Sequence, residues 1–219
     1  MELGFRLFGL PVRISLYFVI IGFLVKPRDA GSAPLIVGWL LVMFVGVLLH
    51  ELGHALTARA FGQQPAILLH GLGGLTYWTP RGEVGSGRRL LIAAAGPAVG
   101  LVLGVACVLG KALLGARGTL LDKILDFGIW VNLGWGLFNL LPLMPMDGGQ
   151  VLASFLEILG LRRGRLVVQG FSLAVGVILV ALSLFFFSIQ GIVLGGLLVF
   201  ANYMALRPTP PSRDPVPPI

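Results

Sequence analysis

Four long stretches of this chain contain no charged residue, and they constrain its fold more than any other feature. They cover residues 35–49, 90–110, 127–146 and 166–206. A helix needs about 20 apolar residues to cross a bilayer, so the last stretch predicts two spans with a break near Ser188–Gly191. Hydrophobic residues make up 57% of the chain and charged residues 11%, which is typical of a polytopic membrane protein.

A shorter apolar run, Ile14–Val25, lies between Arg13 and Lys26 and can cross a bilayer only with snorkelling or local thinning. Counting it, we predict an all-α polytopic integral membrane protein with about six transmembrane helices and a small membrane-associated β-sheet or hairpin. A single transmembrane domain is expected over residues 1–206, followed by a proline-rich cytoplasmic tail at 207–219. The predicted core spans are 35–60, 90–110 and 127–147, and the additional spans are 14–26, 166–187 and 190–206.

The basic residues orient these spans. With six spans, eleven basic residues fall on the side of the two termini and five on the other, which predicts cytoplasmic termini. The formal charge of +7 is therefore interpreted as topology and contact with anionic headgroups, since no basic helix or stacking platform indicates nucleic acid. The single cysteine, Cys107, excludes an intramolecular disulfide framework and a cysteine-based zinc site.

A short motif, His50-Glu-Leu-Gly-His54, lies where the second span must continue. Residues i and i+4 of a helix share a face, so the two imidazoles can bind one metal ion while Glu51 serves as a base beside it. In a soluble chain these residues could equally be ordinary helix-surface residues. At membrane depth they cost several kcal/mol unless something pairs with them, so we predict a catalytic zinc site here.

A catalytic zinc site needs a third protein ligand, and Asp147 fits best by its depth at the cytoplasmic end of the fourth span. Pro142 and Pro145 precede it and Gly148 and Gly149 follow it, so the segment should unwind. Irregular backbone at membrane depth is tolerated only where it is buried in protein or lines a wet cavity. A simple proline–glycine exit from a span is the structural alternative.

Between the second and third spans, Ala66–Trp78 is apolar, too short to span, and divided by three glycines. This pattern predicts a strand, a turn and a second strand, to which residues 3–14 could add further strands. His70 lies in this hairpin and is a rival third ligand. A packed or hydrogen-bonding role suits it better, because a hairpin supports a metal less rigidly than a span end.

Taken together, these residues resemble the site-2 protease family, zinc metalloproteases that cut their substrates within the membrane. The resemblance rests on His50-Glu-Leu-Gly-His54 in one span and Asn139-x-x-Pro-x-x-Pro-x-Asp-Gly148 in another. Ala95-Gly-Pro97 opens the span between them, and Leu7–Arg13 is similar to the segment before the first span in many members. The resemblance covers residues 1–160, in a minimal form without appended regulatory domains.

The resemblance implies one zinc ion per chain, held by His50, His54 and Asp147, with Glu51 as general base. It places Asn139 near the substrate, where its amide could stabilise a developing oxyanion or hold an unwound substrate backbone. A plain interhelical hydrogen bond is the alternative role for Asn139.

The function implied is a zinc-dependent intramembrane endopeptidase that hydrolyses peptide bonds in or near transmembrane segments, as in regulated intramembrane proteolysis. Its expected partners are membrane-protein substrates with a transmembrane helix, the lipid bilayer, and a separate regulatory protein. The active-site end should be cytoplasmic, in the plasma membrane of a prokaryote. The alternatives are a catalytically silent scaffold that retains the fold, against which the intact Glu51 argues, and an ion-coupled transporter, which would need more polar residues in the last two spans.

Overall fold

The computed structural model describes residues 2–71, 73–79, 83–115 and 117–207. The predicted tail lies outside the described residues except for Arg207. The chain divides into two compact units. The first unit comprises Met1–Val84 and Ala94–Phe138, and the second comprises Gly85–Ala93 and Asn139–Ile219.

A four-stranded sheet belongs to the first unit. Its strands, in spatial order, are β1 (Glu2–Leu7), β2 (Leu10–Ser15), β3 (Gln64–His70) and β4 (Gly73–Thr79). The pairs β1–β2 and β3–β4 are antiparallel hairpins, whereas β2 and β3 run parallel. The predicted hairpin at 66–78 and the added strands within 3–14 are therefore confirmed.

Two helices of the first unit follow from local signals in the sequence. Helix α1 (Leu16–Leu24) begins where the Ser15 side chain accepts a hydrogen bond from the Tyr17 amide, a typical N-cap. Helix α2 (Ala33–Ala60) begins after an extended Ser32 with a proline in its first turn, and it ends before Gly62, which has a φ of +83°. The buried faces of β3 and α2 meet, because Ile67 and Leu69 pack in one apolar cluster with Leu48 and Leu52.

The long helix α3 (Ser86–Leu114) contributes residues to both units. In the first unit it is followed by α4 (Leu120–Ile129), a π-helical turn (Trp130–Gly134) and α5 (Trp135–Asn139). Thr119 caps α4 by accepting a hydrogen bond from the Asp122 amide.

The second unit contains three more helices, α6 (Asp147–Ile158), α7 (Gly164–Phe185) and α8 (Ile189–Leu206). Helices α7 and α8 pack closely, because a Cβ on Gly176 would lie 2.9 Å from Val199 and 3.2 Å from the Gly195 carbonyl oxygen. The break predicted near Ser188–Gly191 is confirmed by the end of α7 and the start of α8.

Three helices among the described residues are long and apolar enough to cross a membrane: Ala33–Ala60, Ser86–Leu114 and Gly164–Phe185. Their outer faces carry exposed apolar side chains, such as Val37, Val102 and Ile178 at 56%, 69% and 57% exposure, as a lipid-facing surface requires. These features agree with the predicted class of integral membrane protein. The predicted total of six spans is not confirmed.

Two of the predicted spans differ from the structure. The span at 14–26 is only the nine-residue helix α1, about 14 Å long at 1.5 Å per residue, because residues 14 and 15 belong to β2. The span at 127–147 is helical, through the π-helical turn, only as far as Asn139, and the loop 140–146 follows, so Asp147 opens α6 instead of ending a span. The proline-containing loop unwinds as predicted, since neither Pro142 nor Pro145 can donate a helical hydrogen bond.

Candidate metal centre

His50 and His54 lie one turn apart on α2, and both are nearly buried, with 9% and 7% of their surface exposed. Their Nε2 atoms are 3.2 Å apart. Two imidazole nitrogens on one tetrahedral zinc at about 2.05 Å would be separated by about 3.3 Å, so this pair fits such an ion. The predicted pairing of the two histidines on one helix face is therefore present in the structure.

The imidazole of His54 fills a space left by Gly96 of α3. A Cβ on Gly96 would lie 2.2 Å from His54 Nε2, far inside any contact distance. The same two helices approach each other through Gly53, whose missing Cβ would lie 2.7 Å from the Ala95 carbonyl oxygen. Glycine is therefore needed at both positions, because a larger residue would prevent the close approach of α2 and α3 and would clash with the imidazole between them.

Glu51 follows His50 on α2 and contacts the sheet. Thr76 Oγ1 of β4 donates a hydrogen bond of 2.6 Å to Glu51 Oε2. A Cβ on Gly74 would lie only 2.3 Å from Glu51 Cγ, so glycine is required where β4 passes the carboxylate. Glu51 is 6% exposed, and this strand fixes its position.

Asp147 lies in the second unit, at the first position of α6, and is 9% exposed. Asn139 Nδ2 lies 3.3 Å from Asp147 Oδ2 and donates a hydrogen bond to it. This contact was not predicted. Asn139 was expected to serve the substrate or a neighbouring helix, and in the structure its amide contacts the carboxylate of the predicted third ligand.

His70 ends β3 opposite Gly73. No cluster of three or more metal-binding side chains in the described part of the chain includes it. Sequence reasoning missed Thr76, Gly74 and Gly96 as partners of the site residues. In the sequence these three residues stand out only as small residues in the predicted hairpin and in the third span. Such a pattern does not indicate which side chains they contact.

These observations define a class of site. Two histidines one helical turn apart and a buried glutamate next to the first form the H-E-x-x-H arrangement of hydrolytic zinc enzymes, here on a helix able to cross a membrane.

Comparison with known proteins supports the same class. Residues 112–183, which contain Asn139 and Asp147, match Peptidase family M50. The chain is 35% identical over 164 residues to a putative zinc metalloprotease of Synechocystis sp., covering 68% of this chain and 42% of that protein. A zinc metalloprotease of Methanocaldococcus jannaschii is 30% identical over 159 residues, covering 70% of this chain and 44% of that protein. The putative zinc metalloprotease Rip3 of Mycobacterium tuberculosis is 34% identical over 194 residues, covering 81% of this chain and 48% of that protein.

The fold is also shared with a solved structure, the site-2 protease from Methanocaldococcus jannaschii. The TM-score is 0.67 at 22% identity, over 98% of this chain and 99% of that one. The resemblance to the site-2 protease family that the motifs predicted is thus confirmed. The chain spans somewhat less than half the length of the curated relatives that it matches.

Proposed function

We propose that this chain is a zinc-dependent intramembrane endopeptidase that hydrolyses peptide bonds in or near transmembrane segments of membrane proteins. The observation that carries the proposal is the buried trio His50, Glu51 and His54 on the apolar helix α2. Burying three such groups is costly, and metal ligation together with general-base chemistry accounts for all three. The names of the zinc metalloprotease relatives support the same cofactor.

Asp147 is our proposed third ligand, so that one zinc ion per chain would be held by His50, His54 and Asp147. Two imidazole nitrogens and one carboxylate oxygen are a donor set that zinc accepts in catalytic sites. The hydrogen bond from Asn139 to Asp147 supports this role, because ligating carboxylates are commonly oriented by an outer hydrogen-bond donor.

We expect Asp147→Ala to lose most of its zinc, measured by elemental analysis of the purified protein in detergent. His70→Ala is the matched control, since it removes the other histidine near the site and should retain one zinc per chain. If Asp147→Ala kept its full metal content while His70→Ala lost it, the ligand assignment would be wrong.

When bound, zinc supplies Lewis acidity, which makes water more acidic and a peptide carbonyl more electrophilic. Glu51 then accepts the proton of the attacking water and returns it to the departing amide nitrogen. Thr76 holds the Glu51 carboxylate in place through its hydrogen bond to Oε2. Asn139 positions Asp147, and its amide can also contact the developing oxyanion or the unwound substrate.

The sheet offers a place for an extended substrate. β4 pairs only with β3 among the described strands, so it forms an edge of the described sheet. The same strand carries Thr76 and Gly74 against Glu51. We propose that a substrate segment, once unwound from its helix, pairs with this edge and so comes beside the base.

Thr76→Val tests how far β4 positions the base. Valine keeps the shape of threonine but cannot donate to Glu51, and hydrogen bonds to charged groups contribute about 1.5–3 kcal/mol. We expect kcat to fall by at least about 10-fold with little change in zinc content. Thr57→Val is a matched control, because the Thr57 hydroxyl donates to the Gly53 carbonyl oxygen of the same helix and not to the base. Equal losses in both variants would contradict the positioning role of β4.

The proposed substrates are membrane proteins with a transmembrane helix, and a separate protein is proposed to regulate their cleavage. The test is to incubate the purified chain with a panel of single-span membrane proteins and to follow cleavage by mass spectrometry. Cleavage within or next to a span, lost on chelation and restored by zinc, is the expected result. Zinc binding with no cleavage across the panel would favour the silent scaffold, and proton or ion flux through liposomes would favour a transporter.

We further propose that both termini and the active-site end are cytoplasmic, in the plasma membrane of a prokaryote, as the charge distribution predicts. Reporters fused to either terminus should both be active in the cytoplasm. Reporters on opposite sides would show an odd number of crossings, and the short helix α1 would be the first segment to re-examine.

A further inference from the structure

The loop before Asp147 is held at one residue by two other helices. The Met144 amide donates a 2.8 Å hydrogen bond to Ser172 Oγ of α7, and the Met144 carbonyl oxygen accepts a 2.7 Å hydrogen bond from Asn202 Nδ2 of α8. Ser172 and Asn202 are 0% and 1% exposed. Both backbone groups of a non-helical residue are therefore satisfied by side chains from outside its own segment.

The direction of these hydrogen bonds is fixed by their other partners. Ser172 Oγ lies 2.7 Å from the Val168 carbonyl oxygen and must donate its single proton there, so it can only accept from Met144. Asn202 Nδ2 lies between two carbonyl oxygens, those of Met144 and Leu198, which settles the orientation of the amide.

Asparagine at position 202 has an energetic cost. Its Oδ1 atom has no hydrogen-bond partner within the described residues. An unsatisfied buried oxygen is destabilising, and an apolar side chain at the same position would avoid that cost. The hydrogen bond from Asn202 Nδ2 to the Met144 carbonyl oxygen offsets the cost of the unpaired Oδ1 atom.

Close backbone packing couples the position of Met144 to that of Asp147. A Cβ on Gly149 would lie 2.6 Å from the Met144 amide nitrogen, and a Cβ on Gly148 would lie 2.1 Å from the Leu140 carbonyl oxygen. The loop backbone thus packs without a gap against the first turn of α6, which carries Asp147. A shift of the loop must move that turn, because close-packed backbone transmits displacement.

We infer that Ser172 and Asn202 are positioning residues that fix the third zinc ligand by holding Met144 from α7 and α8. This inference rests on the proposed function, in which Asp147 binds the metal. It gives the last two helices a role in the metal site although neither carries a proposed ligand. Ser172 and Asn202 touch neither metal nor substrate in this role.

The test compares Ser172→Ala, Asn202→Leu and the double variant with the native chain in detergent. Zinc affinity is measured by competition with a chelator of known affinity, and hydrogen exchange of peptides from residues 140–150 reports the loop directly. Loss of an outer hydrogen-bond partner typically weakens metal binding about 10- to 100-fold, which is the effect expected for each single variant. Because both residues act through Met144, the double variant should lose less than the product of the two single effects.

Ser183→Ala is the matched control, since Ser183 is also a buried serine of α7 but is not a partner of Met144. It should keep native zinc affinity and native exchange in the loop. The inference is overturned if Ser172→Ala and Asn202→Leu exchange faster in the loop but bind zinc like the native chain. It is equally overturned if Ser183→Ala weakens zinc binding as much as they do, or if the two effects multiply independently. A native chain that binds no zinc would instead overturn the proposed function itself.

Discussion

Glu51→Gln should reduce peptide hydrolysis to near background while leaving the fold and the zinc content intact. Glutamine has almost the same size as glutamate, and its carbonyl oxygen can still accept the hydrogen bond from Thr76. It cannot take up a proton from water or return one to the leaving amide nitrogen. General acid–base catalysis contributes about 10²–10⁴-fold, and both proton transfers are lost together. The measurement is the single-turnover rate on a substrate found with the single-span panel.

Two controls make this result specific. Zinc content and the melting temperature of Glu51→Gln should match those of the native chain, since the residue is not a proposed ligand. Cleavage of a true substrate at the native rate by Glu51→Gln would refute the catalytic interpretation, and the scaffold or transporter alternatives would then be preferred.

Gly96→Ala should damage the metal centre although it adds a single methyl group. The new Cβ would lie 2.2 Å from His54 Nε2 and 2.6 Å from His54 Cε1, so the imidazole must rotate or the two helices must separate. Either change moves one of the two Nε2 atoms away from the other. We expect zinc affinity to fall by about 10- to 100-fold or more, with about 1–3 kcal/mol of lost stability from overpacking.

Gly110→Ala is the matched control for this variant, because it makes the same substitution on the same helix. A Cβ at Gly110 would lie 3.6 Å from Leu125 Cδ2, which is ordinary van der Waals contact. Alanine is also favoured over glycine inside a helix by about 1 kcal/mol, so Gly110→Ala should retain or gain stability. Native zinc affinity in Gly96→Ala would show that His54 does not occupy the site proposed for it.

Much of the chemistry can be predicted from local patterns. The spacing of His50 and His54 places them on one helix face in any α-helix, which allows their Nε2 atoms to lie 3.2 Å apart. The two prolines before Asp147 interrupt a helix wherever they stand, so the loop 140–146 was predictable as well. The hairpin β3–β4 follows from an apolar segment divided by glycines.

The predicted number of spans is not confirmed, and the segment at residues 14–26 shows a physical reason. Residues 14–26 are apolar enough to suggest a membrane segment, but pairing with β1 and β3 draws residues 14 and 15 into the sheet and leaves the nine-residue helix α1. Apolar composition reports burial in lipid or in protein equally, and only the tertiary structure decides between them.

Local patterns in the sequence are enough to indicate the candidate site residues, namely the motif around Glu51 and the proline–glycine segment around Asp147. The contacts that hold these residues in place are visible only in the folded chain. Thr76 meets Glu51, Gly96 makes room for His54, and Ser172 and Asn202 bind Met144 across long separations in the chain. Such contacts leave no periodic or local signal, because each depends on helices and strands meeting in space, and the free energy of those contacts is set by the whole packing arrangement.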